Sequence, residues 1–180
     1  MSEPDNYKYQ LSFLQPSQVS AAIALDAKTL GGKWSAQGYQ QEIERETSGG
    51  LGLHFFNEPC PLLGMGFVWC IEDEAHIILI AVDPAYQRQG FGRLILRQLL
   101  AFSADRGCTR STLEVSVHNH AALRLYQSLG FQELGQRPNY YGPGDHAAIL
   151  WLNKLDEMNE GDRSSATGSP ETLVDVSLLT

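Results

Sequence analysis

The stretch 76–93, HIILIAVDPAYQRQGFGR, constrains the fold more than any other part of the chain. Its six apolar residues, 77–82, are too few to span a bilayer and suit a strand covered on both faces. Asp83-Pro84 ends that strand, because proline fixes its own φ and biases the preceding residue away from helix. From Gly92 onward Ile95, Leu99 and Phe102, flanked by Leu96 and Leu100, recur with a helical period. A helix therefore starts around residues 90–92. Its first N–H groups lack intrahelical partners and carry the positive end of the helix dipole. Glycines there let a ligand reach the main chain, and Arg88 and Arg93 add full charges, so the junction suits a pyrophosphate. The same glycines serve equally well for tight packing of strand against helix, and this stretch alone does not choose. It does exclude two nucleotide sites. No Gly-x-x-x-x-Gly-Lys-Ser/Thr run is present, and Ile95 stands where the third glycine of a Gly-x-Gly-x-x-Gly fingerprint belongs.

A second cluster follows some twenty residues on. In Thr112-Leu113-Glu114-Val115-Ser116-Val117, alternation puts Leu113, Val115 and Val117 on one face of a strand and Thr112, Glu114 and Ser116 on the other. Asn119 stands at a helix N-cap and Gly130 at its C′ position, with Ala122, Leu125, Tyr126 and Leu129 forming the apolar stripe between them. A carboxylate and a phenol on neighbouring elements can act as general base and general acid. A glutamate on a polar strand face is ordinarily just solvated, and a tyrosine on an apolar stripe is ordinarily core.

Gln87-Arg88-Gln89-Gly90-Phe91-Gly92 resembles the Gln/Arg-x-x-Gly-x-Gly/Ala acetyl-coenzyme A motif of the GNAT N-acetyltransferase superfamily. Further matching pieces are Ile80-Ala81-Val82-Asp83-Pro84, Leu113-Glu114-Val115, and Asn119 followed by Leu125-Tyr126-Gln127-Ser128-Leu129-Gly130-Phe131. With Arg137-Pro138-Asn139-Tyr140-Tyr141 and Gly144-Asp145-His146, they resemble the ribosomal-protein-alanine N-acetyltransferase (RimI-type) branch over about residues 64–152. The resemblance implies an α/β (α+β) fold: a mixed, strongly twisted sheet of about seven strands, helices on both faces, and a splayed central parallel strand pair. It implies acetyl-CoA as acetyl donor, with no metal. Ile80, Ala81 and Val82 would pair with the pantetheine arm. Arg88, Gln89, Gly90, Phe91, Gly92 and Arg93 would cradle the pyrophosphate, mostly through main-chain N–H groups, and Asn119 would also contact the cofactor. Glu114 becomes the general base and Tyr126 the acid that protonates the departing thiolate. Tyr140 and Tyr141 fall in the substrate-side loop. Trp34, before the second helical segment, either lines the peptide entrance or anchors two helices. The branch often has arginine after Leu-Glu-Val where this chain has Ser116, which bears on substrate recognition beside Glu114.

The implied reaction needs a neutral amine. An α-amino group, with a pKa of about 7.7–8.0, is already partly neutral near pH 7, whereas lysine at about 10.4 is not. The expected acceptor is therefore a protein N-terminus, that of a small-subunit ribosomal protein beginning with alanine. A lysine side chain or small amine is the alternative within the enzyme class, and a non-catalytic acyl-CoA binding or sensing module is the alternative outside it.

At 180 residues the chain suits one domain with a real core. A net charge of −8 argues against a nucleic-acid binder and fits a basic peptide partner, though solubility explains it equally well. Cys60, Cys70 and Cys108 have no metal spacing, and His118 with His120 lacks a carboxylate or cysteine partner, so no metal site is expected. No apolar leader opens the chain, so a cytoplasmic protein without membrane anchor is expected. Strands are expected near 9–13, 52–56, 63–72, 131–135 and 147–152, and helices near 17–29 and 35–46. The acetyltransferase domain is placed at 1–156. Residues 157–180 form a polar tail expected to be disordered, in which the apolar alternation of 172–179 either docks on the domain or a partner or stays loose, and the loose end is favoured.

Overall fold

A computed structural model describes residues 9–56, 58–155 and, for the backbone, 171–174. The strands are β1 (Tyr9–Phe13), β2 (Ser48–Phe55), β3 (Gly64–Ile71), β4 (Glu74–Val82), β5 (Arg110–Ser116), β6 (Gln132–Gly142), β7 (Asp145–Asn153) and β8 (Glu171–Val174). The helices are α1 (Val19–Thr29), α2 (Ala36–Glu44), α3 (Phe91–Asp105) and α4 (His120–Ser128). All strands join one sheet in the order β6-β7-β5-β4-β3-β2-β1-β8. Its neighbours run antiparallel except β4 and β5, which are parallel, the expected mixed sheet.

Two apolar layers cover the sheet. On one face α3 and α4 bury Ile95, Leu99 and Tyr126 against Leu53, Ile77, Leu113 and Leu150. On the other, α1 and α2 bury Leu25 and Tyr39 against Met65, Phe67, Leu79 and Ala81. Glycines of β3 set how closely α3 lies: a Cβ on Gly66 would stand 2.6 Å from Ile95 Cγ2 and 2.9 Å from Leu99 Cδ1.

The bend that opens the site lies in β4. Val68 pairs with Ile77, but the next pair is Phe67 with Leu79, so Ile78 is an extra residue without a partner on β3. A bulge of this kind bends the strand and exchanges its two faces. Ala75 and Ile77 accordingly belong to the α3–α4 layer, whereas Leu79 and Ala81 belong to the α1–α2 layer. Unbroken alternation would put Ile77, Leu79 and Ala81 on one face; the bulge separates Ile77 from the other two. The pairing of β4 with β5 runs from Glu74↔Arg110 to Ile77↔Leu113 and stops at the bulge. Beyond it the two strands part.

Several expected boundaries move. β2 begins four residues before the expected 52, because Gly49, Gly50 and Gly52 lack the apolar alternation that marks a strand, although Phe102, Phe67 and Leu14 fill the space where their side chains would be. β6 runs to Gly142 rather than 135, since its residues are almost all exposed and carry no buried pattern. The loose reading of the terminal stretch is corrected at Glu171–Val174, which pair antiparallel with Tyr9–Ser12 of β1. The remainder of 157–180 lies outside the described residues.

Candidate active site

The parted ends of β4 and β5 face the starts of α3 and α4. Asp83 caps a 3-10 turn at Pro84–Tyr86, its carboxylate accepting from the Ala85 N–H at 3.0 Å and from Lys28 Nζ of α1 at 2.8 Å. These partners, the Lys28 bond first, hold its carboxyl below the usual carboxylate range. Gln87 Nε2 donates to the Val82 carbonyl at 3.0 Å, folding the chain back at the strand end. Arg88 and Gly90 then take left-handed conformations, φ +63° and +85°. Gly90 is the N-cap of α3 and supplies no side-chain cap, so the N–H groups of Phe91, Gly92 and Arg93 point out of the helix unpaired by it. The end of this fifteen-residue helix carries positive potential at the mouth of the gap.

The side chains divide around that end. Arg88 and Gln89 are exposed. The Phe91 ring is buried, edge-on to Tyr9 at 4.8 Å, so only its main chain is offered to a ligand. Arg93 reaches across to α4 and donates to Ser128 Oγ at 2.8 Å. Gly92 has room for ordinary contacts only, with Leu125 Cδ2 and Val82 Cγ2 at 3.5 and 4.0 Å from where a Cβ would sit. Ile80 and Val82 pack on the α3–α4 layer, and Ala81 on the other. Asn119 caps α4, its Oδ1 accepting from the Ala122 N–H at 3.1 Å, which leaves its amide donors for other use.

Glu114 and Tyr126 approach the gap from opposite faces of the sheet. Glu114 is part-exposed on β5, and one carboxylate oxygen lies 3.1 Å from Arg137 Nη2 of β6. Tyr126 is buried on α4, ring to ring with Phe131 at 5.9 Å. Burial, helped by the nearby Tyr141 phenol, pushes its pKa up to about 12. The two candidates do not touch. Tyr141 stands between them: its hydroxyl donates to the Glu114 carbonyl oxygen at 3.2 Å, and its own pKa is pushed up to about 12 by burial, then by Tyr140, Glu114 and Asp145. Ser116 donates to Asp145 Oδ1 at 2.5 Å, so the positive charge beside Glu114 comes from β6 and not from residue 116.

Two loops frame the outer side. In the β6–β7 hairpin the ladder breaks between Arg137 and Gly142, and the intervening residues bulge over β5. Asn139, at φ +54°, pins the bulge: its N–H donates to His146 Nδ1 at 2.9 Å and its Oδ1 accepts from the Gly144 N–H at 2.8 Å. Opposite lies the loop after α1, organised by the fully buried Asp26 carboxylate, which accepts from the N–H groups of Gly32, Lys33 and Trp34 at 3.2, 3.4 and 3.1 Å. Lys33 reaches over the Tyr141 ring at 5.7 Å and joins the two rims. Trp34 packs on Tyr39 and Phe67, with centroids 5.3 and 6.1 Å apart, which is the helix-anchoring geometry. Tyr140 is half exposed under the Arg137 guanidinium, 4.9 Å away.

Asp26 and Lys33 were not singled out by sequence reasoning, and Arg137 was named only within the substrate-side loop, without its pairing to Glu114. Gly31-Gly32 shortly after a helical aspartate is the one local signal for the first; both glycines take positive φ. Among the described residues no group of three or more His, Cys, Asp or Glu side chains could hold a metal, and no helix is long and apolar enough to cross a membrane.

Comparison with known proteins agrees with this geometry. The model of the acetyltransferase (GNAT) family matches residues 21–131. The chain is 34% identical over 139 residues to the [ribosomal protein bS18]-alanine N-acetyltransferase of Escherichia coli K12, covering 75% of this chain and 88% of that protein. It is 52% identical over 68 residues to the N-alpha-acetyltransferase RimI of Mycobacterium tuberculosis, covering 38% and 41%. The crystal structure of the ribosomal-protein-S18-alanine N-acetyltransferase from Escherichia coli superposes with a TM-score of 0.72 at 31% identity, over 81% of this chain and 94% of that one. A splayed parallel pair ending at an uncapped helix, with a family match across the same elements, makes the chain a member of the acetyltransferase (GNAT) family.

Proposed function

We propose that the chain transfers the acetyl group of acetyl-CoA to the N-terminal α-amino group of a protein, with the N-terminal alanine of a small-subunit ribosomal protein as the favoured acceptor. The observation that carries the donor half is the gap beyond Ile77 and Leu113, which opens onto the free N–H groups at the start of α3. The names of the relatives carry the acceptor half. Acetyl-CoA supplies a thioester whose acyl carbon an amine can attack. The main-chain N–H groups of Phe91, Gly92 and Arg93 bind its pyrophosphate, with Arg88 and Gln89 alongside. The free edge of β4 at Ile80, Ala81 and Val82 aligns the pantetheine arm and polarises the carbonyl by main-chain hydrogen bonds. Asn119 contributes its amide donors.

Glu114 takes the proton from the acceptor nitrogen, directly or through one water, so that the lone pair is free to form the N–C bond. As the C–S bond breaks, the Tyr126 hydroxyl gives its proton to sulfur, and the surplus proton that the former amine nitrogen sheds as the amide forms restores the phenol. A phenol with its pKa pushed up to about 12 is fully protonated at neutral pH, the state an acid requires. The acceptor enters between the loop at Lys33 and Trp34 and the bulge at Tyr140 and Tyr141. The working place is the cytoplasm, where ribosomal proteins are made.

The test is thiol release from acetyl-CoA with two peptide sets, one with a free N-terminal alanine, the other blocked and carrying an internal lysine. Turnover confined to the first supports the reading. Turnover confined to the second moves the activity to side chains, and tight acetyl-CoA binding without turnover on either points to a small-molecule amine acceptor or to a binding module.

A further inference from the structure

We propose that Arg137 is a displaceable counter-ion: it holds the Glu114 carboxylate while the acceptor side is empty and yields it to the incoming α-ammonium. The proposal rests on the acetyltransferase reading above. Arg137 Nη2 lies 3.1 Å from Glu114 Oε1, and the side chains are 54% and 28% exposed. An ion pair this wet contributes little and exchanges readily, whereas a buried pair would be costly to break. The guanidinium also sits 4.9 Å over the half-exposed Tyr140 ring, so when it lets go it swings across that ring toward solvent. Residues 138–141 leave the β7 ladder and are tied to β5 by Tyr141, so the guanidinium and the carboxylate meet on the rim where an acceptor must pass.

An ammonium arriving beside Glu114 with Arg137 still in place would bring two cations onto one carboxylate. Exchange avoids that repulsion and leaves the local charge unchanged. An acceptor that is already neutral gains nothing from Glu114 and cannot expel the arginine. Arg137 acts through Glu114 and is a positioning residue.

The experiment measures KM separately for acetyl-CoA and for a free-alanine peptide with wild type, Arg137→Met and Arg137→Lys. Methionine keeps a stem over Tyr140 without the charge. The expected result is a fall of about two- to fivefold in the peptide KM of Arg137→Met, the range open to a half-exposed pair. Its KM for acetyl-CoA stays unchanged, and Arg137→Lys returns the peptide KM toward wild type. A rise in peptide KM would make Arg137 a peptide ligand and overturn the proposal. An unchanged peptide KM, or equal changes for both substrates, overturns it as well. Wild type that turns over no free-amino peptide removes the N-terminal acceptor reading and this proposal with it; wild-type turnover with any of the contrary ratios removes this proposal alone.

Discussion

Tyr126 and Glu114 reach one gap from opposite faces, and this arrangement separates their chemistry. Tyr126 is buried with its phenol pushed up to about 12, so at neutral pH it keeps its proton and is not available as a base. Glu114 is part-exposed and ion-paired, so it can exchange protons with an entering amine or water. Tyr126→Phe is expected to lower kcat by about a hundredfold, within the range for general acid–base groups, while acetyl-CoA affinity measured by calorimetry stays the same. Weakened affinity with unchanged kcat would reduce the tyrosine to a wall of the cleft. Glu114→Gln should lose a similar factor, and full activity across the pH range would end its assignment as base. The motif pieces located both residues, because each carries a local pattern: alternation on β5 and an apolar stripe on α4. Tyr141 as the link between them depends on a broken ladder in β6, and exposed residues with little buried periodicity leave no such trace.

At the scale of elements, the loop after α1 depends on one buried charge. Asp26 is fully buried and satisfies three N–H groups of a loop whose glycines stand at φ +82° and +70°. Its charge, after burial itself, also pushes the pKa of the Tyr39 phenol upward. Asp26→Asn replaces an acceptor by a partial donor facing those N–H groups, at a cost of about 1–3 kcal/mol. In a chain of this size that lowers Tm by several degrees, at roughly 2–4 °C per kcal/mol. The loop also carries Lys33 to Tyr141, so the peptide KM should rise more than the acetyl-CoA KM. A melt unchanged from wild type would show that the loop holds its shape without the carboxylate. Sequence reading found α1 and α2 but not the link, since nothing in a helical period reports which carboxylate will turn inward. Ser35, the α2 N-cap, accepts from the Gly38 N–H at 3.1 Å, the local bond its residue type favours.

For the whole molecule, the Lys28–Asp83 pair ties the α1–α2 layer to the loop that begins α3. The Asp83 carboxyl is lowered in the fold, so its contribution is present above the unfolded value near 3.8 and is lost as pH falls below it. The raised phenols act in the other direction. Tyr126 and Tyr141 contribute stability fully below the ordinary phenol value of 10.0, and lose it as pH rises toward about 12, because the unfolded chain ionises first. Denaturant midpoints should therefore fall at both ends, and Tyr126→Phe should flatten the alkaline limb. The mixed sheet and its parallel centre were legible through the family resemblance, unlike the strand order. β8 was not, since four residues at a sheet edge carry too little pattern to separate pairing from a loose end.

The extra residue at Ile78 has a last consequence, which concerns arithmetic and not chemistry. No functional group is attached to it, yet one residue fewer in β4 would restore parity with β3, leave residues 79–82 on their present faces and remove the bend. The ladder with β5 could then continue past Ile77 and zip the cleft shut. Removing Ile78 should abolish acetyl-CoA binding in calorimetry even where a folded core survives, whereas Ile78→Val should barely alter it. For this enzyme family member, a length is as much a part of the active site as any side chain.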